Sequence, residues 1–230
     1  MTNTKPDMFS RSWPAAETAA YFAALTAADE GFAAEVVTAM ERGGVRASSV
    51  TAMEGRLIEA FARLSGAKKA VEIGTLYGYS AHWIARGLPE AGRLYSLEQD
   101  PACVNAAKDA IEASSLSRKV TVMQGPAAES LKTLSKLAPF DFCFLDADAA
   151  QYPSFLRWAA ANLRPGGLVL ANNVFIEGKI PAGDATAADN TRSRAMRGFF
   201  HVLFDSDRFV SVSVLPTGGG MALGIKAQAA

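Results

Sequence analysis

Two glycines and a carboxylate lie at spacings that suit the binding of a nucleoside. Gly74 directly follows the short, largely apolar run 70–73, and Gly78 precedes a helix-forming stretch. Glycine at these points lets the chain turn tightly and lets a ligand approach the free N–H groups at the helix start. Glu98, 24 residues after Gly74, ends the next apolar run, where a carboxylate can accept both ribose hydroxyls. This unit predicts a nucleoside-type cofactor.

The spacing of the glycines argues against a dinucleotide. A pyrophosphate-binding turn has the pattern Gly-x-Gly-x-x-Gly, whereas here bulky Leu76 and Tyr77 lie between the two glycines. A methionine-like tail with a carboxylate and an ammonium group fits this turn better, and Glu72 could meet the ammonium. An NAD-dependent oxidoreductase is therefore the less favoured interpretation.

Short apolar segments alternate with helical ones, which predicts a Rossmann-like α/β fold with a mostly parallel sheet and helices on both faces. The predicted parallel strands are 70–74, 93–98, 119–124, 141–146 and 167–172. The predicted helices between them are 79–88, 101–114, 127–137 and 151–163. Pro165, Gly166 and Gly167 predict a turn before the fifth strand. A helix over 191–205 and an antiparallel hairpin, 209–215 and 221–226, complete a seven-stranded sheet.

Polar residues and glycines stand at the carboxyl ends of the predicted parallel strands. In open α/β sheets this edge is where ligands bind. The residues concerned are Glu72–Gly74, Glu98, Gly125–Ala127, Asp146–Asp148 and Asn172–Asn173. We therefore expect one site at this edge of the sheet.

The residues before the first strand predict helices, because apolar residues recur there at helical spacing. These predicted helices are 15–26, 30–42 and 52–65. We expect a single domain, in which residues 1–49 form a helical lid or dimer segment and residues 50–230 form the cofactor-binding core. Phe9 and Trp13, together with the loop 178–190, are the candidates for covering the site.

Composition argues against several classes of function. Of the 230 residues 50% are hydrophobic, and the formal net charge is zero without a basic run. Nucleic acids and anionic membranes are therefore not expected as partners. No apolar run reaches the roughly 18 residues of a membrane span, and the first residues lack an apolar signal core. Cys103 and Cys143 are too few for a disulfide framework or a zinc site. We expect a soluble, cytoplasmic protein that acts on a small molecule.

Together these segments resemble the class I S-adenosylmethionine-dependent methyltransferases, and more narrowly the catechol and caffeoyl-CoA O-methyltransferase family. The resemblance runs from about Val50 to Lys226. It rests on Val71–Gly74 with Gly78–Ser80, Gly125–Ala127, Phe144–Asp148 with Tyr152, Pro165–Gly167, Asn173–Val174 and Leu215–Gly220. The pieces Glu-Ile-Gly-x-x-x-Gly-Tyr-Ser and Asp-Ala-Asp, in this order, are its specific part.

The resemblance implies roles for individual residues. The cofactor would be S-adenosyl-L-methionine, and the residues implied to contact it are Val50, Glu72, Gly74, Thr75, Ser80, Glu98, Ala127, Asp146 and Asp148. Within this set, Glu72, Gly74, Thr75 and Ser80 would hold the methionine end, Glu98 the ribose and Ala127 the adenine, with Asp148 near the amino group. A divalent cation, usually Mg²⁺, would be held by Asp146, Asn172 and Asn173, of which Asp146 and Asn173 would also be catalytic. The cation would clamp two adjacent substrate hydroxyls and activate one of them.

The sequence departs from the family pattern at two positions. The second metal ligand, an Asp in the family, is Asn172 here, which removes one negative charge from around a cation that favours carboxylates. The Lys that commonly serves as general base is replaced by Ala149. Lys179, in the loop after the last ligand, could reach the site, although a solvated loop lysine is the simpler interpretation.

The leading prediction is a methyltransferase that uses S-adenosylmethionine to methylate an oxygen of a small aromatic hydroxyl compound, catechol-like or phenolic, with or without metal assistance. Two alternatives stay open: a metal-independent methyltransferase acting on a nitrogen or sulfur nucleophile, and a non-catalytic S-adenosylmethionine-binding protein that serves a partner. Arg192, Arg194 and Arg197 form either a solvated helix face or a grip on an acidic substrate. A homodimer is expected by analogy with the family.

Overall fold

The structure is a computed structural model that describes residues 16–27, 34–44, 49–176, 191–204 and 207–228. Its helices are α1 (Ala16–Ala27), α2 (Ala34–Arg42), α3 (Ala52–Leu64), α4 (Tyr79–Gly87), α5 (Pro101–Glu112), α6 (Ala127–Leu134), α7 (Tyr152–Asn162) and α8 (Thr191–Phe204). Its strands are β1 (Lys69–Ile73), β2 (Arg93–Glu98), β3 (Val120–Gln124), β4 (Phe140–Leu145), β5 (Leu163–Ala171), β6 (Phe209–Leu215) and β7 (Met221–Lys226).

One sheet of seven strands, in the order β3-β2-β1-β4-β5-β7-β6, organises the chain. β1 to β5 run parallel, whereas β7 is antiparallel to both β5 and β6. The strand order reverses at β1, which pairs with β2 on one side and β4 on the other. The carboxyl ends of β1 and β4 therefore form the switch point at which open α/β sheets bind ligands. The predicted Rossmann-like fold is confirmed.

The central strands are buried on both faces, which explains their nearly continuous apolar sequence. Along β4, Cys143 and Leu145 belong to the core that includes residues of α7 and α8. Phe142 and Phe144, which alternate with them, belong to the opposite core, with residues of α3 and α4. Packing on both faces fixes the strand ends from which the site is built.

The fifth strand begins earlier than predicted. β5 starts at Leu163, so the segment 165–167 lies inside the strand and not in a turn before it. Leu163 pairs with Phe140, and the register between β4 and β5 then shifts before Phe142. An irregularity of this kind takes up extra residues without ending the strand.

The helix bounds depart from the predictions by small amounts. α6 ends at Leu134 and continues as a 3₁₀ turn over Ser135–Leu137, within the single helix predicted to residue 137. α3 begins with a capping box, in which Thr51 Oγ1 accepts from the N–H of Glu54 and Glu54 Oε2 accepts from the N–H of Thr51. None of the helices in the described ranges is long and apolar enough to cross a membrane.

Candidate active site

A cavity of about 760 Å³ opens at the carboxyl ends of the parallel strands. Most of the predicted site residues line it: Gly74, Thr75, Ser80, Glu98, Ala127, Asp146, Asp148 and Asn173. The remaining three, Val50, Glu72 and Asn172, are buried beside lining residues and do not line it themselves. The sheet edge therefore gathers the predicted residues from separate parts of the chain.

The turn after β1 packs directly against the end of β4. Gly74 has a φ of 101°, and a Cβ at this position would collide with the main-chain carbonyl oxygen of Asp146. The N–H groups of Gly74 and Thr75 donate to the carbonyl oxygen of Leu97 on β2, at 3.0 and 3.1 Å. Only glycine fits position 74, and the turn is fixed between two strand ends.

Glu72 is a completely buried acid behind this turn. Its Oε2 accepts a hydrogen bond from Ser96 Oγ, which is also bonded to Thr75 Oγ1 at 2.5 Å. Its Oε1 has no hydrogen-bond partner within the described part of the chain. Burial raises the pKa of Glu72 to about 8, and the hydrogen bond from Ser96 together with the nearby hydroxyl group of Ser80 lowers it only in part. A cationic group is the partner that would satisfy Oε1 and favour the ionised carboxylate.

Glu98 is already bound by main-chain groups. Its Oε2 accepts from the N–H of Leu76 at 2.8 Å, and its Oε1 accepts from the N–H groups of Gln99 and Asp100 at 2.8 and 2.9 Å. A carboxylate has about four acceptor positions, so about one stays open, on Oε2. These bonds orient the carboxylate at the cavity wall. The acceptor position that stays open suits a hydrogen bond from one ligand hydroxyl better than from two.

The far wall of the cavity is open near the start of α6. Gly125 has a φ of 134°, and a Cβ there would meet no atom within 4 Å, so a flat group has room beside Ala127. Asp148 also lines the cavity, with its Oδ1 3.8 Å from Arg192 Nε. The side chain of Val50 is only 5% exposed and belongs to the hydrophobic core, and the contact predicted for this residue is through its main chain.

Asp146 is bound by two asparagine amides. Asn172 Nδ2 donates to Asp146 Oδ2 at 3.2 Å, and Asn173 Nδ2 donates to Asp146 Oδ1 at 3.1 Å. Burial raises the pKa of Asp146 to about 6, while these two hydrogen bonds act in the opposite direction. Asn173 has a φ of 54°, and its Oδ1 lies against Gly219 in the turn before β7.

This donor set does not fit a hard divalent cation. Such a cation takes oxygen ligands, preferably carboxylates, but both asparagines direct Nδ2 toward Asp146. In the residues that the structure describes, no group of three or more His, Cys, Asp or Glu side chains could hold a metal ion.

Tyr152 was predicted only as part of the family motif, and the structure shows what it does. Its buried hydroxyl lies 2.8 Å from the carbonyl oxygen of Asn172 and 3.2 Å from that of Leu145. One side chain therefore ties together the ends of β4 and β5, which carry Asp146 and Asn172. No local sequence pattern signals this role, because it depends on two strands meeting.

Two other residues of the cavity wall, Met40 of α2 and Phe155 of α7, were not predicted as site residues. Arg192 of α8, one of the arginines considered as a grip on an acidic substrate, also lines the cavity. Their positions depend on how the helices pack over the strand ends. The remaining candidates, Phe9, Trp13, Lys179 and the loop 178–190, lie outside the residues that the structure describes.

Comparison with known proteins identifies the family. The sequence pattern of the O-methyltransferase family matches residues 25–227. The chain belongs to this O-methyltransferase family. It is 34% identical over 195 residues to the catechol O-methyltransferase of Niastella koreensis, an alignment that covers 81% of this chain and 86% of that protein.

Solved O-methyltransferase structures superpose on the whole fold. The O-methyltransferase from Bacillus cereus in complex with S-adenosylhomocysteine has a TM-score of 0.84 and 28% identity, covering 91% of this chain and 97% of that one. The O-methyltransferase TomG from Streptomyces achromogenes, involved in tomaymycin synthesis and in complex with S-adenosylmethionine, has a TM-score of 0.85 and 27% identity, covering 92% and 96%. The predictions of a methyltransferase enzyme and of S-adenosylmethionine as cofactor are confirmed.

The cavity suits that cofactor. The unpartnered Glu72 Oε1, the turn that admits only glycine at position 74 and the open space at Gly125 agree with a ligand that has a cationic end and a flat end. The family's cofactor, when bound, supplies an activated methyl group on a sulfonium.

Proposed function

We propose that this O-methyltransferase methylates a hydroxyl oxygen of a small aromatic compound, catechol-like or phenolic. The observation that carries the proposal is a cavity whose wall brings the Gly74 turn and Asp146 with Asn173 side by side. Its volume of about 760 Å³ suits a small acceptor beside the cofactor. The name of the Niastella relative, a catechol O-methyltransferase, supports the acceptor class.

Within this proposal the first turn binds the methionine end of the cofactor. Glu72 pairs with its ammonium group, because Oε1 is buried and lacks a partner among the described residues. Gly74, Thr75 and Ser80 complete this end of the site. Glu98 accepts from the ribose through the open position on Oε2, and Ala127 and Asp148 flank the adenine.

Asp146 and Asn173 act on the acceptor. The reaction forms a bond between the acceptor oxygen and the methyl carbon, breaks the bond between sulfur and that carbon, and releases the hydroxyl proton. We assign that proton to the carboxylate of Asp146, since Ala149 supplies no base in the position of the family Lys. Asn173 keeps the carboxylate in place through its hydrogen bond to Oδ1. Proximity and orientation of the hydroxyl then supply most of the catalysis.

The test combines cofactor binding with a panel of acceptors. We expect S-adenosylhomocysteine to bind in calorimetry, and methyl transfer from radiolabelled S-adenosylmethionine to catechols and simple phenols. Aromatic amines and thiols serve as the comparison acceptors. Transfer only to amines or thiols would contradict O-methylation, and tight cofactor binding without transfer to any acceptor would favour a non-catalytic binding protein.

The proposal includes a homodimer in a reducing, cytoplasmic environment. Tyr21, Phe22 and Leu25 of α1 are 62%, 43% and 58% exposed, and a cluster of large apolar side chains on one helix favours a protein contact. Cys103 and Cys143 are both free, as is usual for proteins of reducing compartments. Light scattering coupled to gel filtration tests the dimer: a monomeric mass across the accessible concentrations would contradict it.

A further inference from the structure

We propose that this O-methyltransferase works without a divalent cation, because the amide groups of Asn172 and Asn173 take the place of a cation as the partners of Asp146. The inference rests on the proposed function, since it concerns the acceptor end of the same site. It also defines the acceptor more closely, as a compound that needs only one hydroxyl group to be methylated.

Both oxygens of the Asp146 carboxylate already have a donor. Asn172 Nδ2 lies 3.2 Å from Oδ2 and Asn173 Nδ2 lies 3.1 Å from Oδ1. A cation bound to these residues would need the amide oxygens, and not the nitrogens, to face the carboxylate. Turning both amides over would remove two hydrogen bonds and bring two carbonyl oxygens toward a negative charge.

Each amide presents its nitrogen to Asp146 and its oxygen to other surroundings. Asn172 is 2% exposed and does not line the cavity, and its Oδ1 is buried without a partner within the described ranges. The Oδ1 of Asn173 lies against Gly219, so close that a Cβ there would collide with it. In both residues the nitrogen, and not the oxygen, is the atom that bonds Asp146.

The charge at this end of the site is also low for a dication. Asp146 is the one carboxylate among the three side chains, and position 149 is an alanine. Glu54 adds a negative field at Asp146, but its carboxylate is held in the capping box of α3 by the N–H and the hydroxyl of Thr51. The site therefore offers a cation one carboxylate, which two amide N–H groups already bind.

A site of this kind has no means of clamping two neighbouring hydroxyls. Selection for vicinal diols comes from a cation that binds both oxygens, whereas a carboxylate held by amides can accept a hydrogen bond from one hydroxyl. We expect a catechol and its single-hydroxyl analogue to be methylated at rates within about tenfold of each other, and chelator to leave both rates unchanged.

The decisive experiment restores the missing carboxylate and measures cation binding directly. Mn²⁺ is titrated into protein saturated with S-adenosylhomocysteine, with free Mn²⁺ followed by electron paramagnetic resonance. Asn172→Asp should bind Mn²⁺ at least about tenfold more tightly than the wild type, because a second carboxylate then faces Asp146. Asn105→Asp, an equal change of charge on the exposed face of α5, should bind no better than the wild type.

Two results would overturn the inference. The first is Mn²⁺ binding by the wild type as tight as by Asn172→Asp. The second is loss of methyl transfer in chelator with recovery on adding Mg²⁺. The second decides the question on the wild-type protein alone, even where the variant fails to fold. Absence of methyl transfer to any acceptor contradicts the proposed function instead, and the Mn²⁺ titration still gives its own answer.

Discussion

The proposed cofactor end and the proposed acceptor end of the site satisfy their buried charges in different ways. At the cofactor end, Glu72 is fully buried and its Oε1 has no partner among the described residues. At the acceptor end, both oxygens of Asp146 already accept a hydrogen bond from an asparagine. Glu72 thus has a carboxylate oxygen that a cationic ligand group could satisfy, whereas Asp146 has satisfied both of its oxygens from within the protein.

The difference shows which parts of the site can change without loss of the fold. The cofactor turn is held by main-chain packing of Gly74 against Asp146 and by main-chain hydrogen bonds to Leu97. The acceptor end depends on side chains at positions such as 149 and 172, which can be exchanged while the strands keep their pairing. When proteins of one fold differ in the reaction they catalyse, we expect the difference to lie at side chains of this kind.

The largest expected effect comes from adding one methyl group at the cofactor end. Gly74→Ala places a Cβ against the carbonyl oxygen of Asp146 at a φ of 101°, so we expect a loss of about 3 kcal/mol or more in the free energy of unfolding, and loss of S-adenosylhomocysteine binding. Urea unfolding and calorimetry measure the two. Gly218→Ala is the control, since a Cβ there meets no atom within 4 Å. Wild-type stability of Gly74→Ala would show that the turn is not fixed.

Removing the charge of Glu72 tests whether its free oxygen receives the cofactor. Glu72→Gln keeps the shape but replaces a carboxylate by an amide, and we expect the affinity for S-adenosylhomocysteine to fall by about ten- to a hundredfold, the range for a hydrogen bond to a charged group. Calorimetric titration measures the change. Glu90→Gln on the exposed surface provides the matched control. An unchanged affinity would mean that the ammonium group binds elsewhere.

The same residue predicts how stability depends on pH. The pKa of Glu72 is raised from 4.5 to about 8, so folding favours its neutral form. That contribution is fully present below pH 4.5 and is lost as the pH rises through about 8. The melting temperature of the ligand-free wild type should therefore fall more between pH 5 and pH 9 than that of Glu72→Gln. Saturating S-adenosylhomocysteine should reduce the fall, because its ammonium favours the ionised carboxylate. Parallel curves for the two proteins would contradict the raised pKa.

The smallest effect concerns the link between the two strands that carry the acceptor end. Tyr152→Phe removes the hydroxyl that bonds the carbonyl oxygens of Asn172 and Leu145, so we expect a loss of about 1 kcal/mol in the free energy of unfolding. Affinity for S-adenosylhomocysteine should change less than the turnover rate. Tyr95→Phe is the control, since the Tyr95 hydroxyl makes no hydrogen bond to the described residues. Equal losses in the two variants would rule out a specific link.

Sequence reasoning could predict most residues of the proposed cofactor end because their signals are local. Gly74, Gly78 and Glu98 stand at the ends of short apolar runs, and a parallel sheet must bring such ends together. At the proposed acceptor end the sequence predicted which residues take part, Asp146, Asn172 and Asn173, but not how their side chains are arranged. Which amide atom meets the carboxylate depends on contacts with segments far along the chain, such as the turn at Gly219. The strand that begins at Leu163 was misplaced for a similar reason, since its pairing with Phe140 overrides the local turn residues.

The sequence by itself determined the fold class, the edge of the sheet where the site lies and the family, because the periods of apolar residues and the positions of glycines are properties of short segments. Only the tertiary structure decided which of these residues reach the cavity. It placed Val50 and Asn172 in the interior, surrounded Glu98 with main-chain donors and left one oxygen of Glu72 without a partner among the described residues. These properties depend on burial and on hydrogen-bond donors from separate strands, and packing alone brings those groups together.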